Sequence, residues 1–130
     1  MQDAAFSDEF CAFIQKMIPA VDAAEVLLAV YAQPDAWLHP ADLARALRPA
    51  VSVTDAEAAR YLEMFHSRGL LAIDPDNRYQ YRPAFEILAG HVQTLAQAYK
   101  ERPVTLIRMI YALRDLKIQS FADAFKLKGK

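Results

Sequence analysis

Residues 54–82, TDAEAARYLEMFHSRGLLAIDPDNRYQYR, constrain the fold more than any other stretch. Thr54 followed three residues later by Glu57 is a capping box, the reciprocal pair of hydrogen bonds that starts a helix. Gly69 stands where that helix should stop, because glycine takes the left-handed conformation of a helix C-terminus without strain. Residues 70–74 and 78–82 are short strand candidates, and Pro75, Asp76 and Asn77 between them are turn formers. The pattern predicts a helix followed at once by a small hairpin.

The flanking segments read as helices. Ser7 is placed to cap a first helix to about Ile18, with Phe10, Phe13, Ile14 and Met17 on one face and Pro19 at its end. Asp22 is the candidate cap of a second helix, at about 23–33, whose stripe is Val26, Leu27, Val30 and Tyr31. Trp37 and Leu38 follow in a connection expected to fold back on the core, since burying each is worth roughly 2 kcal/mol. Pro40 suits the first turn of a third helix, about 40–48, with Leu43, Ala44 and Leu47 facing inward. The capped helix then occupies about 55–68.

Beyond the hairpin, Pro83 breaks the second strand and a long helix is expected from near Ala84. Phe85, Leu88, Val92, Leu95 and Tyr99 are spaced alternately three and four apart, a narrow seam of the coiled-coil kind. The seam either pairs across a homodimer or packs on its own domain. Pro103 opens a further helix with Val104, Ile107, Ile110, Tyr111 and Leu113 as its apolar side. Ser120 and Asp123 form a weaker capping motif for a short final turn carrying Phe121 and Phe125.

These elements predict one domain over residues 1–130. Residues 22–83 form its core, 1–19 an N-terminal helix, and 84–130 the C-terminal helices and a basic tail. The fold class is mainly α with a small β-hairpin wing, a winged helix-turn-helix domain extended by N-terminal and C-terminal helices. The hydrophobic content of 55% with only 3 glycines argues for a compact helical chain. One cysteine, Cys11, excludes an intrachain disulfide and reads as an inert buried thiol. The first ten residues lack the basic-then-apolar pattern of a signal peptide, and the greasiest run, 104–113, is short and interrupted by Arg108. The expectation is a cytoplasmic protein with no membrane span.

The order of elements, with "ADLARAL" and then A-x-x-x-R-Y-L-x-x-x-x-x-R-G-L-L, resembles that of MarR-type winged-helix proteins over about the middle half of the chain. The resemblance implies DNA binding by a homodimer, with the capped helix in the major groove and the wing along the backbone. By position, the outward side of that helix would present Asp55, Glu57, Ala58, Arg60, Tyr61 and Met64, and the wing Asn77, Arg78 and Arg82. Arg60 and Tyr61 are the candidates to read bases; the bland alternative pairs Arg60 with Glu57 or Glu63 and lays Tyr61 over the core edge. Arg45 and Arg48 are candidates for backbone phosphates or for surface charge alone.

Charge runs against that role. Residues 22–83 contain six arginines, no lysine and nine carboxylates, whereas affinity for DNA comes largely from neutralising phosphates. Residues 100–130 reverse the balance, with eight basic and three acidic side chains. Phe121, Phe125, Lys126, Lys128 and Lys130 there read as a basic arm, an anchor on a partner or anionic membrane, or a docked tail. Two functions therefore stand: a DNA-binding transcriptional regulator, or a winged-helix module that binds protein. A third reading is an effector pocket near Trp37, Tyr61 and Tyr99. No enzyme, metal or cofactor is expected, because His39, His66 and His91 lack ligand spacing and no glycine-rich phosphate loop occurs.

Overall fold

The computed structural model describes residues 6–128, and their side chains as far as residue 115. Six helices and two strands follow one another in the order α1 (Asp8–Met17), α2 (Val21–Tyr31), α3 (Pro40–Leu47), α4 (Asp55–Ser67), β1 (Leu71–Ile73), β2 (Tyr79–Tyr81), α5 (Glu86–Glu101) and α6 (Pro103–Lys128).

Local chemistry accounts for most of the boundaries. The Ser7 hydroxyl accepts the Phe10 amide at 3.0 Å and starts α1. The capping box of α4 is complete: Thr54 Oγ1 accepts the Glu57 amide at 3.1 Å, and Glu57 Oε1 accepts the Thr54 amide at 2.9 Å. At the far end Gly69 has φ +84, and Leu70 donates back to the Phe65 carbonyl at 3.0 Å. Pro40 supplies the first turn of α3.

Three boundaries differ from expectation. Asp22 does not cap α2; the helix begins two residues earlier than expected, at Val21 after an extended Ala20, which leaves Asp22 in the first turn, where a negative charge still suits the helix dipole. Helix α5 begins at Glu86 because Phe85 is extended. Ser120 and Asp123 open no separate helix. No glycine or proline occurs between Pro103 and Lys128, so nothing interrupts the hydrogen-bond ladder of α6. The Phe121, Phe125, Lys126 and Lys128 side chains, and Lys130 altogether, lie outside the described residues.

Helix α4 packs on α3 and α2, and runs directly into the hairpin. Strands β1 and β2 pair antiparallel with Leu71 opposite Tyr81 and Ile73 opposite Tyr79. Leu38, in the connection between α2 and α3, bridges the other edge of β2: it exchanges two backbone hydrogen bonds of 2.8 Å with Tyr79. This is how the connection folds back on the core, leaving Trp37 and Leu38 half-buried.

One apolar cluster unites the chain, from Phe10 and Ile14 of α1 through Leu27, Leu62 and Phe65 to Leu95, Leu106 and Ile110. Phe13 stacks on His91 at 5.1 Å between ring centres, and α1 packs against both α5 and α6. Cys11 is half-buried with its Sγ 3.7 Å from the Met109 Sδ. Most of the expected dimer seam is used inside the protomer. Val92 and Leu95 are 0% exposed, Leu88 and Tyr99 are half-buried, and Phe85 is 69% exposed. A second chain could therefore meet Val92 or Leu95 only by opening the core. Among the described residues no helix is long and apolar enough to cross a membrane.

Candidate functional site

The surface formed by α3, α4 and the hairpin collects the residues that the sequence nominates for recognition. Helical periodicity splits α4 into two faces. Ala58, Leu62 and Phe65, at i, i+4 and i+7, are buried, so Ala58 belongs to the core and not to the outward set. Ala56, Arg60, Glu63 and Ser67 form the exposed face. Tyr61 lies off that face. It is half-buried toward α1 and α6, and its hydroxyl is pushed above the usual tyrosine range, first by burial and then by the charges of Asp22 and Glu57. Met64 lines the same side.

The arginines are mostly engaged. Arg45 pairs with Asp42 on the same helix at 3.2 Å. Arg48 reaches across the α3–α4 connection, donating to the Val53 carbonyl at 3.1 Å and pairing with Asp55 at 3.3 Å. It thereby holds the end of α3 to the start of α4. Arg78 pairs with Asp74 at 2.8 Å and with Asp76 at 3.5 Å. Among the described residues Arg60 and Arg82 form no salt bridge, although Arg82 donates to Gln80 Oε1 at 2.7 Å. Gln80, a buried polar side chain, passes the link on to the Asp35 carbonyl at 3.1 Å. Arg82 thus steadies the hairpin against the α2–α3 connection.

The hairpin is rigidly specified. Asn77, at its tip, has φ 61, a conformation that asparagine tolerates better than most side chains. Asp74 Oδ1 accepts the amides of Asp76 and Arg78 at 3.0 and 2.9 Å. Burial pushes the Asp74 carboxyl up, but those two amides and the Arg78 guanidinium together outweigh it and hold the group below its ordinary range. Tyr79 donates its hydroxyl to Glu63 at 3.2 Å, fastening the exposed face of α4 to β2. Glu63 therefore faces solvent with a fixed partner.

Exposed carboxylates punctuate this surface: Asp42, Asp55, Glu63 and Asp76. The Thr54 amide and hydroxyl lower the carboxyl of Glu57, so it is charged over a wider pH range than a free glutamate. The arrangement offers fixed negative charge and hydrogen-bond acceptors, with Arg60 close enough to Glu57 to help hold it charged but in no salt bridge among the described residues.

Tyr61 and Tyr99 do not share a pocket. Tyr61 lines a hollow between α1, α4 and α6, Tyr99 a shallow groove between α2 and α5, and Trp37 neither of the two. Tyr99 donates instead to Glu25; burial and then this carboxylate raise its pKa to about 12. Sequence reading did not single out Lys16, Arg68 and Arg114, which line the hollow beside Tyr61. They stand far apart in the chain and only the packing of three helices assembles them. Among the described residues no group of three His, Cys, Asp or Glu side chains is placed to hold a metal ion. The chain matches no protein-family model, no curated protein and no solved structure.

Proposed function

We propose that the chain is a winged-helix module that recognises a protein partner through the exposed face of α4 and the adjoining hairpin. The architecture supporting this reading is the packing of α4 on α3 and α2, followed by a hairpin joined by the Leu38–Tyr79 bridge. One observation carries the choice of partner: Arg45, Arg48 and Arg78 are each paired to neighbouring carboxylates, on a segment where carboxylates already outnumber arginines nine to six. Such a surface gains little from phosphate neutralisation. It complements a basic segment, with Glu63 and Asp76 as exposed anchors and Arg60 as an internal check on register.

The test is affinity capture with the wild-type chain and with a Glu63→Lys, Asp76→Lys double variant. The proposal expects a stoichiometric protein partner whose binding segment is basic, and its loss on charge reversal. Capture that survives reversal, or recovery of nucleic acid alone, would sink it.

A second reading is a dimeric DNA-binding transcriptional regulator. It is favoured by Arg60 and Arg82, which form no ion pair among the described residues, and by the basic excess of residues 100–130. It is tested by anisotropy of labelled genomic duplexes at low salt. Binding that Arg60→Ala and Arg82→Ala abolish would replace the first reading with this one.

A further inference from the structure

The hollow beside Tyr61 has a composition that the surface reading does not use. Its volume is about 350 Å3, at the small end of the range of about 300–1,000 Å3 typical of small-molecule sites. The end of α1, the link to α2, one side of α4 and the middle of α6 enclose it. Ile18, Met64 and Leu113 supply apolar wall, with the Tyr61 ring beside them. Lys16, Arg68 and Arg114 stand around it as exposed cations, and among the described residues no acidic side chain lines it, the negative charges acting on its Tyr61 being those of Asp22 and Glu57.

Two details make this more than a dent. Arg68 donates through Nη1 to the Lys16 carbonyl in the last turn of α1, so its guanidinium is anchored at the rim. Among the described residues none of the three cations forms a salt bridge, in contrast to Arg45, Arg48 and Arg78 on the other surface. Three cations with no ion pair among the described residues, set around an apolar wall, repel one another, and a bound anion relieves that repulsion. The planar donors of two arginines match the paired oxygens of a carboxylate, and the apolar wall beside them suits a hydrocarbon body attached to it.

We infer that this hollow binds a small amphiphilic carboxylate, with the carboxylate held by Lys16, Arg68 and Arg114 and the apolar body seated against Ile18, Met64 and Leu113. The volume suits a body of on the order of ten heavy atoms. The occupant bridges α1, α4 and α6, so it ties the helix that carries Arg60 and Glu63 to the C-terminal helix. The site stands whether the exposed face of α4 meets protein or DNA.

The experiment uses the full chain, labelled for methyl and amide spectra, titrated with sodium octanoate below its micelle concentration. Parallel titrations use octylamine, which keeps the body and reverses the charge, and inorganic phosphate, which keeps the charge and removes the body. The inference expects saturable shifts at Met64, Ile18 and Leu113 with octanoate, and at least tenfold weaker binding of the other two. Arg114→Gln and Lys16→Gln change exposed side chains and leave the core untouched; each should weaken octanoate about tenfold. Equal binding of octylamine, equal binding of phosphate, shifts confined to the Tyr99 groove, or octanoate affinity unchanged in the Lys16→Gln, Arg114→Gln double variant would each overturn it.

Discussion

Asp74 and Arg78 are joined three times. The Asp74 amide donates to the Arg78 carbonyl at 3.0 Å, the Arg78 amide donates to Asp74 Oδ1 at 2.9 Å, and the Arg78 Nε donates to Asp74 Oδ2 at 2.8 Å. A wing-tip arginine free to follow a phosphate backbone would need none of these. Here the carboxylate organises the turn and cancels the cation within the same residue pair.

Titration of that carboxylate should be visible at the hairpin. The group is held below its ordinary value of 3.8, so the stability it contributes is present above that value and is lost as the pH falls through its lower, folded value. The Arg78 amide shift should titrate with a midpoint below 3.8, and Asp74→Asn should abolish the transition. A midpoint at or above the ordinary value would contradict the geometry.

Releasing the arginines should create affinity for DNA where little exists. In an Asp42→Asn, Asp76→Asn variant, Arg45 loses its partner and Arg78 loses one of two. Non-specific duplex binding at low salt should strengthen, and the slope of log K against log salt should steepen by about one, for the freed Arg45, since Arg78 keeps its pair with Asp74. Fluorescence anisotropy across a salt series reads both quantities.

Thr54→Ala removes one half of the capping box of α4. The expected cost is about 1 kcal/mol, which lowers the melting temperature by about 3–6 °C for a chain of this size. Thermal unfolding followed by circular dichroism checks it.

The α5 seam should respond unequally along its length. Leu95→Ala opens a cavity at a fully buried site and should cost about 2–5 kcal/mol, whereas Phe85→Ala, at an exposed position, should stay within about 0.5 kcal/mol. Urea unfolding at two protein concentrations tests the pair. A cost for Phe85→Ala that grows with concentration would reveal self-association through that end of α5.

Alkaline stability should fall between pH about 10 and about 12. Tyr81 is pushed up to about 12 by burial and then by Tyr31, and Tyr99 to about 12 by burial and then by Glu25. A raised folded pKa gives stability that is whole below the unfolded value near 10 and is lost as the pH climbs through the folded one. Tyr81→Phe should be neutral or slightly stabilising at pH 7, because its buried hydroxyl has no partner among the described residues. Tyr99→Phe, which strands Glu25, should cost about 1 kcal/mol. Urea midpoints from pH 7 to pH 11.5 separate the two.

Local chemistry was legible in advance and spatial assembly was not. The caps at Ser7 and Thr54, the stop at Gly69, the proline start of α3 and the Asn77 turn each depend on a few adjacent residues, and each stands as read. Asp22 misled because an acidic residue near a helix start suits both the cap and the first turn. Ser120 and Asp123 misled because a capping pattern has force only where the preceding chain leaves the helix. The alternation of three and four along α5 marks a buried stripe without saying which chain buries it, and here Val92 and Leu95 are buried by their own. The pairing of Arg48 with Asp55 depends on how the α3–α4 connection turns, and the cationic hollow depends on α1, α4 and α6 meeting. Neither is encoded in any window of the sequence.

The Leu38–Tyr79 bridge also sets a sequence of events in time. Helices α3 and α4 are neighbours in the chain and the hairpin closes locally, on the microsecond scale of such elements. The bridge joins a residue before α3 to the second strand of the hairpin, so its two hydrogen bonds reward loop closure only after α3 and α4 have docked. The α2–α3 connection is thus the latch and not the hinge of this half of the molecule. Substitutions confined to the latch, such as Leu38→Pro, should speed unfolding far more than they slow folding.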